Sequence, residues 1–324
     1  MKLLKKLIFG TMCIILFTCS EQEAITIFSS FPVEESLEYS VYDTYDIIDP
    51  VQIVVSNKYL FLAGMRSEPI FQQYELPDVK YIRSFGIRGR GPGEFIITPM
   101  MYISRNPEKF YFNSYGEQLS AYLILENGDL LPNQKYSTTK YMLYNQFHVI
   151  NDSLLIFNLI PQIGIQKVNL LKDKSSTEIE FTKNKGYSED SFHPDFGTLS
   201  VNNRYIVYAY KYRKQIDIYD IYNLKIKIRL LAKGHREKIT TSNQSKGYYY
   251  DVYATDNFIY VYYINPDSDD VKNRYFIEIF DYSGSPIKRC NIGISLSGSI
   301  AVSPDDSAIY GFSAELGTII KFDL

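Results

Sequence analysis

A polar turn followed by a burst of aromatic and aliphatic residues recurs six times along the chain, and no other feature constrains the fold as strongly. The bursts open after Lys58, Lys109, Ser153, Arg204, Asn257 and Ser307, as in Tyr59-Leu60-Phe61-Leu62 and Tyr205-Ile206-Val207-Tyr208. The steps between them are 51, 44, 51, 53 and 50 residues. A repeat of this length matches one four-stranded propeller blade. Each copy has the same internal order. An apolar strand such as Val51–Val55 precedes the turn and the burst forms a second strand. A third strand alternates as a half-exposed strand does, as in Gln215-Ile216-Asp217-Ile218-Tyr219 and Phe276-Ile277-Glu278-Ile279-Phe280. A more polar fourth strand follows, as in Lys225–Leu230. Glu126-Asn127-Gly128-Asp129 and Tyr282-Ser283-Gly284-Ser285 supply hairpin turns between third and fourth strands.

The last copy stops at Leu324, directly after its third strand, Thr318–Phe322, while Ser36–Tyr42 is a spare alternating stretch ahead of the first copy. An unpaired edge exposes a row of backbone donors and acceptors. The expectation is therefore an all-β fold, a six-bladed β-propeller of four-stranded antiparallel blades, its last blade completed by the N-terminal strand. Thirty Tyr and twenty Phe suit pleated, half-buried surfaces. No stretch beyond the N-terminus carries a capped amphipathic helical stripe. A β-sandwich accounts for the strand content but not for six equal repeats.

The chain opens with Met1-Lys2-Leu3-Leu4-Lys5-Lys6, then an uncharged and largely apolar run from Leu7 to Phe17. That run is too short for a lasting membrane span and suits the core of a signal peptide. It ends in Leu16-Phe17-Thr18-Cys19, which resembles a lipobox. The resemblance implies a signal peptide over 1–18, cleavage before Cys19 and a diacylglycerol on its thiol. The other reading is an ordinary secretory signal with an incidental Cys, although no Ala-x-Ala site is present. Ser20-Glu21-Gln22-Glu23 resembles the surface-export signal of lipoproteins in one phylum of Gram-negative bacteria. Residues 19–35 are expected to form a flexible acidic tether, and 36–324 the propeller.

With Cys13 removed and Cys19 acylated, Cys290 is left alone and no internal disulfide forms. Loss of Lys2, Lys5 and Lys6 takes the 34 basic side chains to 31, against 37 acidic ones. Such a body has no electrostatic reason to bind nucleic acid. The expected contact with membrane is through the N-terminal lipid only, at the outer membrane, on its periplasmic or cell-surface side.

One local motif stands apart: Ser84-Phe85-Gly86-Ile87-Arg88-Gly89-Arg90-Gly91-Pro92-Gly93-Glu94-Phe95-Ile96-Ile97-Thr98-Pro99. It resembles the boundary between blades of NHL-type propellers. With the lipobox and the six repeats, the mature chain resembles the TolB-like six-bladed propeller lipoproteins of the same phylum. The glycines permit positive φ, the Pro stiffens the turn, and Phe95 is expected to tuck between two blades. No helix follows the loop, so it does not read as a phosphate cradle. In propellers, the link from an outer strand to the next inner strand lies on the face that usually carries the binding site. Arg88, Arg90 and Glu94 are accordingly candidates for a binding face.

His193 and Asp195, in the long stretch from Asn184 to Gly197, join that list because long loops tend to carry function. His235 joins it from a second boundary fragment, Leu231–His235. No catalytic residue, cofactor or metal ligand is assigned. The chain lacks a Gly-x-Ser-x-Gly elbow, a calcium loop and sialidase-type boxes with Trp. His148, His193 and His235 fall in three different repeats and are expected to be unrelated. The function expected is a tethered binding or scaffold propeller for a protein, peptide or glycan partner, without catalysis. The alternative is a lyase or hydrolase with its active site in the central channel. A glycan-binding role would require exposed Tyr platforms among Tyr248, Tyr249 and Tyr250.

Overall fold

The computed structural model describes residues 23–91, 93–105, 108–114, 118–137, 146–151, 154–158, 164–170, 174–180, 194–235, 246–270 and 273–324. The expected signal peptide, Cys19 and His193 lie outside them. The described residues form an all-β propeller, without an α-helix among them and without a helix long and apolar enough to cross a membrane.

Three short strands open the described chain: β1 (Ala24–Phe28), β2 (Val33–Ser36) and β3 (Tyr39–Tyr42). Sheet 1 follows with β4 (Pro50–Val55), β5 (Tyr59–Gly64), β6 (Phe71–Glu75) and β7 (Lys80–Phe85). Sheet 2 holds β8 (Met100–Arg105), β9 (Glu108–Ser114), β10 (Gln118–Ile124) and β11 (Leu130–Ser137). Sheet 3 holds β12 (Phe147–Asn151), β13 (Leu154–Asn158), β14 (Gly164–Asn169) and β15 (Lys174–Glu180). Sheet 4 holds β16 (Gly197–Val201), β17 (Tyr205–Tyr210), β18 (Gln215–Asp220) and β19 (Ile226–Ala232). Sheet 5 holds β20 (Tyr249–Ala254), β21 (Ile259–Ile264), β22 (Tyr275–Phe280) and β23 (Pro286–Asn291). Sheet 6 holds β24 (Ser297–Val302), β25 (Ala308–Ser313) and β26 (Thr318–Asp323), and β3 is its fourth strand.

These strands zigzag antiparallel outward from the first strand of each sheet, as the repeat implied. β3 lies antiparallel to β26, with Tyr42 opposite Ile319 and Tyr39 opposite Phe322, so the two ends of the propeller domain share a sheet. The core lies between the sheets, in six layers. Phe61 and Phe71 of sheet 1 meet Phe110 and Phe112 of sheet 2. Tyr111 meets Phe147 between sheets 2 and 3, and Ile165 meets Leu199 between sheets 3 and 4. Ile218 and Val261 share the layer between sheets 4 and 5, and Ile277 and Ile309 that between 5 and 6. Tyr310 and Leu60 complete the circuit between sheets 6 and 1.

Two expectations need correction. The sheets are not uniformly four-stranded and antiparallel: β1 adds a fifth, parallel strand to β19, and β2 does the same to β23. Residues 24–36, assigned by sequence mostly to a flexible tether, therefore form a strap on the outer edges of sheets 4 and 5. Pairing covers two edges that would otherwise present free backbone groups. Phe28 and Phe31 fasten the strap edge-to-face against Phe280, at ring distances of 5.1 and 5.3 Å. The second correction concerns the third strands. Gln215–Tyr219 is buried on both faces, because neighbouring sheets cover both. Its polar positions are paired inside the protein.

Candidate functional site

In an antiparallel sheet the connections alternate between two ends. Links between sheets, and turns between second and third strands, lie at what is here termed the loop end. Turns joining first to second and third to fourth strands lie at the opposite, turn end. A narrow channel between the two ends has a cavity of about 90 Å³, lined by β4, β8, β12, β16, β20 and β24.

The channel's polar side chains sew each first strand to the next. Gln52 donates to the Met101 carbonyl at 2.8 Å and accepts from its N–H at 2.7 Å. The Tyr102 ring stands edge-on to His148 at 5.1 Å. Gln146 Oε1 accepts from Leu199 N–H at 3.1 Å, and Ser200 Oγ accepts from Ala254 N–H at 2.9 Å. Asp251 accepts from Ile300 N–H at 2.7 Å and from Thr198 Oγ1 at 3.1 Å. Ser299 Oγ accepts from Ile53 N–H at 3.0 Å, which closes the circuit.

Two of these groups have displaced acidities. Burial pushes the Asp251 carboxyl up to about 7, against the lowering effect of the N–H groups of Ile300 and Val252 and of Thr198. Burial pushes the His148 imidazole down to about 4, opposed by the Leu199 carbonyl. His148 is thus neutral at pH 7, and its Nε2 lies 3.0 Å from that carbonyl. This assigns the proton to Nε2. Among the described residues the buried Nδ1 has no hydrogen-bond partner. Among the described residues no cluster of three or more His, Cys, Asp or Glu is placed to hold a metal ion.

The glycine-rich loop connects β7 to β8 and is tied down from within. Gly86 takes φ of +83°, and a Cβ there would lie 2.6 Å from the Phe71 ring, so only glycine suits the position. Glu94 accepts from Gly91 N–H at 2.7 Å. Arg88 donates to the Met65 carbonyl and, at 2.8 Å, to Thr98 Oγ1. Phe95 sits between sheets 1 and 2, with its ring 5.5 Å from both Phe71 and Phe112. Arg88 and Glu94 therefore serve the loop's own shape, and Arg90 and Glu94 are exposed.

Asp195, ahead of β16, pairs with Arg213 and accepts the Tyr208 hydroxyl through its carbonyl at 2.7 Å. Arg213 in turn lies over the Tyr210 ring at 4.2 Å. His235 closes a tight turn after β19, donating its N–H to Ala232 at 2.9 Å. Arg88, Arg90, Glu94, Asp195 and His235 lie on links between sheets, hence at the loop end, but on three different links.

Sequence reasoning missed a cationic and aromatic cluster at the loop end of sheets 4 and 5. The Lys211 ammonium lies 5.6 Å from the Phe196 and Tyr212 rings and 5.3 Å from Tyr250. Burial among these rings lowers its pKa from the usual lysine value. Lys214 lies over Tyr248 at 5.0 Å and Tyr263 at 5.6 Å. The links are knitted by Lys211 N–H to Phe196 O, 2.8 Å, and Tyr248 N–H to Lys211 O, 2.7 Å. Of the three candidate platform tyrosines, Tyr250 is 43% exposed, Tyr248 half-buried and Tyr249 buried. The available signal was the run Lys211-Tyr212-Arg213-Lys214 between a second and a third strand.

Comparison with known proteins places this architecture. A family model described as a TolB-like, 6-blade propeller-like domain matches residues 27–303. A crystal structure from Bacteroides fragilis NCTC 9343, of a protein whose name calls it exported, superposes with a TM-score of 0.57 at 14% identity. The match covers 92% of this chain and 99% of that one. The β-propeller domain of Cps50 (Swd1) from Myceliophteria thermophila gives a TM-score of 0.46 at 11% identity, covering 89% of this chain and 100% of that one. A search of curated proteins found no match.

Proposed function

The chain belongs to the TolB-like, six-blade propeller-like family, and on that premise we propose that it is an exported lipoprotein whose loop end binds a partner. In this reading the six sheets act as six blades of one closed ring. Cys19 carries the lipid and holds the domain at the outer membrane. The similar fold of a Bacteroides fragilis protein whose name calls it exported, and the basic-then-apolar N-terminus, support export.

The observation that carries the binding reading is Lys211. Its ammonium sits among three rings, beside an exposed Tyr250, at the end where six links and their neighbouring turns gather. A cation over aromatic faces, with an open ring next to it, suits a protein, peptide or glycan that presents carboxylate, sulfate or phosphate groups. Asp195 adjoins Phe196 and is paired with Arg213, His235 lies on the link that also carries Tyr248, and Arg90 lies on the link between sheets 1 and 2. The channel is a weaker candidate for a lyase or hydrolase site. His148 Nδ1 and Asp251 are its best groups, yet its polar side chains are largely spent on neighbouring strands.

The test is photocrosslinking in intact cells, with a diazirine residue at position 250 or at position 58 on the opposite end. Adducts are expected from position 250 alone, and they should vanish when Lys211→Glu is added. No adduct from position 250, or equal adducts from both ends, would falsify the binding reading.

A further inference from the structure

We propose that the turn end of sheet 4 is a membrane-contact surface, which rests against anionic lipid headgroups and turns the loop end away from the bilayer. This rests on the lipid anchor at Cys19 proposed above. Its own evidence is the path of the strap and the chemistry found where the strap begins.

β1 runs parallel to β19, with Ala24 opposite Ile228 and Phe28 opposite Ala232. β19 leaves the turn end and runs to the loop end, so β1 does too. The described chain therefore enters β1 at the turn end of sheet 4. Glu23 is already held there, 2.9 Å from Arg229. Five residue steps separate Cys19 from Ala24, and an extended chain covers at most about 18 Å in that distance. A lipid on Cys19 thus keeps this corner of the propeller within a headgroup's reach of the bilayer.

The corner has the chemistry of such a contact. Tyr222, in the turn between β18 and β19, is 75% exposed. Lys225 and Lys227, three and five residues after it, are both exposed. Lys167 of sheet 3 donates to the Tyr222 carbonyl at 3.0 Å. Arg204, exposed in the turn between β16 and β17, accepts the Ile221 N–H through its carbonyl at 3.0 Å. Asp220 is the acid in this turn; it caps the turn and lies 3.7 Å from Lys227. Elsewhere the same end carries more acid than base: turns of sheets 1, 2, 5 and 6 hold Asp78, Asp129, Asp256, Asp281, Asp305 and Asp306 against Lys58. An exposed Tyr among cations suits the headgroup layer, and the acidic turns tilt away from it.

Fluorescence quenching of the acylated, full-length protein in vesicles tests this. A label on Asn203→Cys reports the turn end of sheet 4, and one on Arg90→Cys the loop end. Cys290 is fully buried and is not expected to compete for label. In phosphatidylglycerol-rich vesicles bearing a headgroup spin label, quenching is expected at position 203 and not at position 90. Adding Tyr222→Ala, Lys225→Glu and Lys227→Glu should reduce quenching at position 203 at least about twofold, as should vesicles of phosphatidylcholine alone. Equal quenching at both positions, or no effect of the charge reversal, overturns the inference. The mass of the extracted protein separates the two levels. An acylated chain with position 203 unquenched refutes this orientation alone, whereas a chain without acyl groups refutes the anchor as well.

Discussion

Gln73, Asp217 and Glu278 occupy the same place in three sheets, a third-strand position directly opposite an arginine on the fourth strand. Arg83 donates to Gln73 at 2.8 Å, and Arg229 grips both oxygens of Asp217 at 2.9 and 3.1 Å. Arg289 Nε lies 3.4 Å from Glu278. Burial raises Glu278 to about 7, with Arg289 and Lys214 pulling it down. Glu278 and Asp251 thus share one linkage sign. Their folded values lie above the ordinary carboxyl range, so the stability they contribute is complete below about pH 4 and is lost as pH rises through about 7. His148 runs the other way, and its contribution is lost as pH falls from about 6.5 toward 4. Asp251→Asn removes only the Asp251 component. Compared with wild type, the variant should fare better at pH 8 than at pH 5, by on the order of 2 kcal/mol. Thermal melts of both proteins at both pH values measure this, and an unchanged difference contradicts it. Glu278 was read from sequence as a solvent-facing position of an alternating strand. The usable signal was the arginine 10 to 12 residues downstream of Gln73 and Asp217, the spacing that places it across a tight hairpin.

At the scale of elements, the bursts after Lys58, Arg204 and Asn257 were legible because second strands are buried on both faces and read as continuous apolar runs. The turns were equally legible. Gly128 and Gly284 both adopt φ of +85°, as their Asn-Gly and Ser-Gly contexts suggest. β1 and β2 were not legible. Ile25 and Ile27 face solvent, and no alternation marks a buried face. Their partners lie more than two hundred residues away, so no local pattern names them. Phe28 holds the strap, and Phe28→Ala should cost about 3–5 kcal/mol. It should also speed amide exchange in Ala24–Phe28 well before the rest of sheet 4, as read by hydrogen exchange. Protection that falls uniformly across all six sheets would show that the strap does not open on its own.

For the whole molecule, the critical contact is the pairing of β3 with β26, because it puts the first and last parts of the domain into one sheet. Alternate residues of an antiparallel pair bond to the partner, and proline lacks the donor. Ser40→Pro with Val41→Pro therefore disrupts the pairing whichever of the two is bonded. The double variant should lose about 3 kcal/mol or more and expose the edge of β26 to other chains. Calorimetry should show a lower Tm, and size-exclusion chromatography should show self-association. A variant that melts like wild type and stays monodisperse would mean that the closure contributes little.

The sequence by itself determined the repeat, the strand content, the hairpin turns and the closing role of the N-terminal strand. Each of these depends on residues close in sequence or on a count of strands. Only the tertiary structure decided the strap, the buried acids with their arginines, the aromatic setting of Lys211 and the cationic corner around Tyr222. Each of those joins side chains from different strands or sheets, and their distances are set by how the sheets pack around the channel, a quantity that no local pattern of residues encodes.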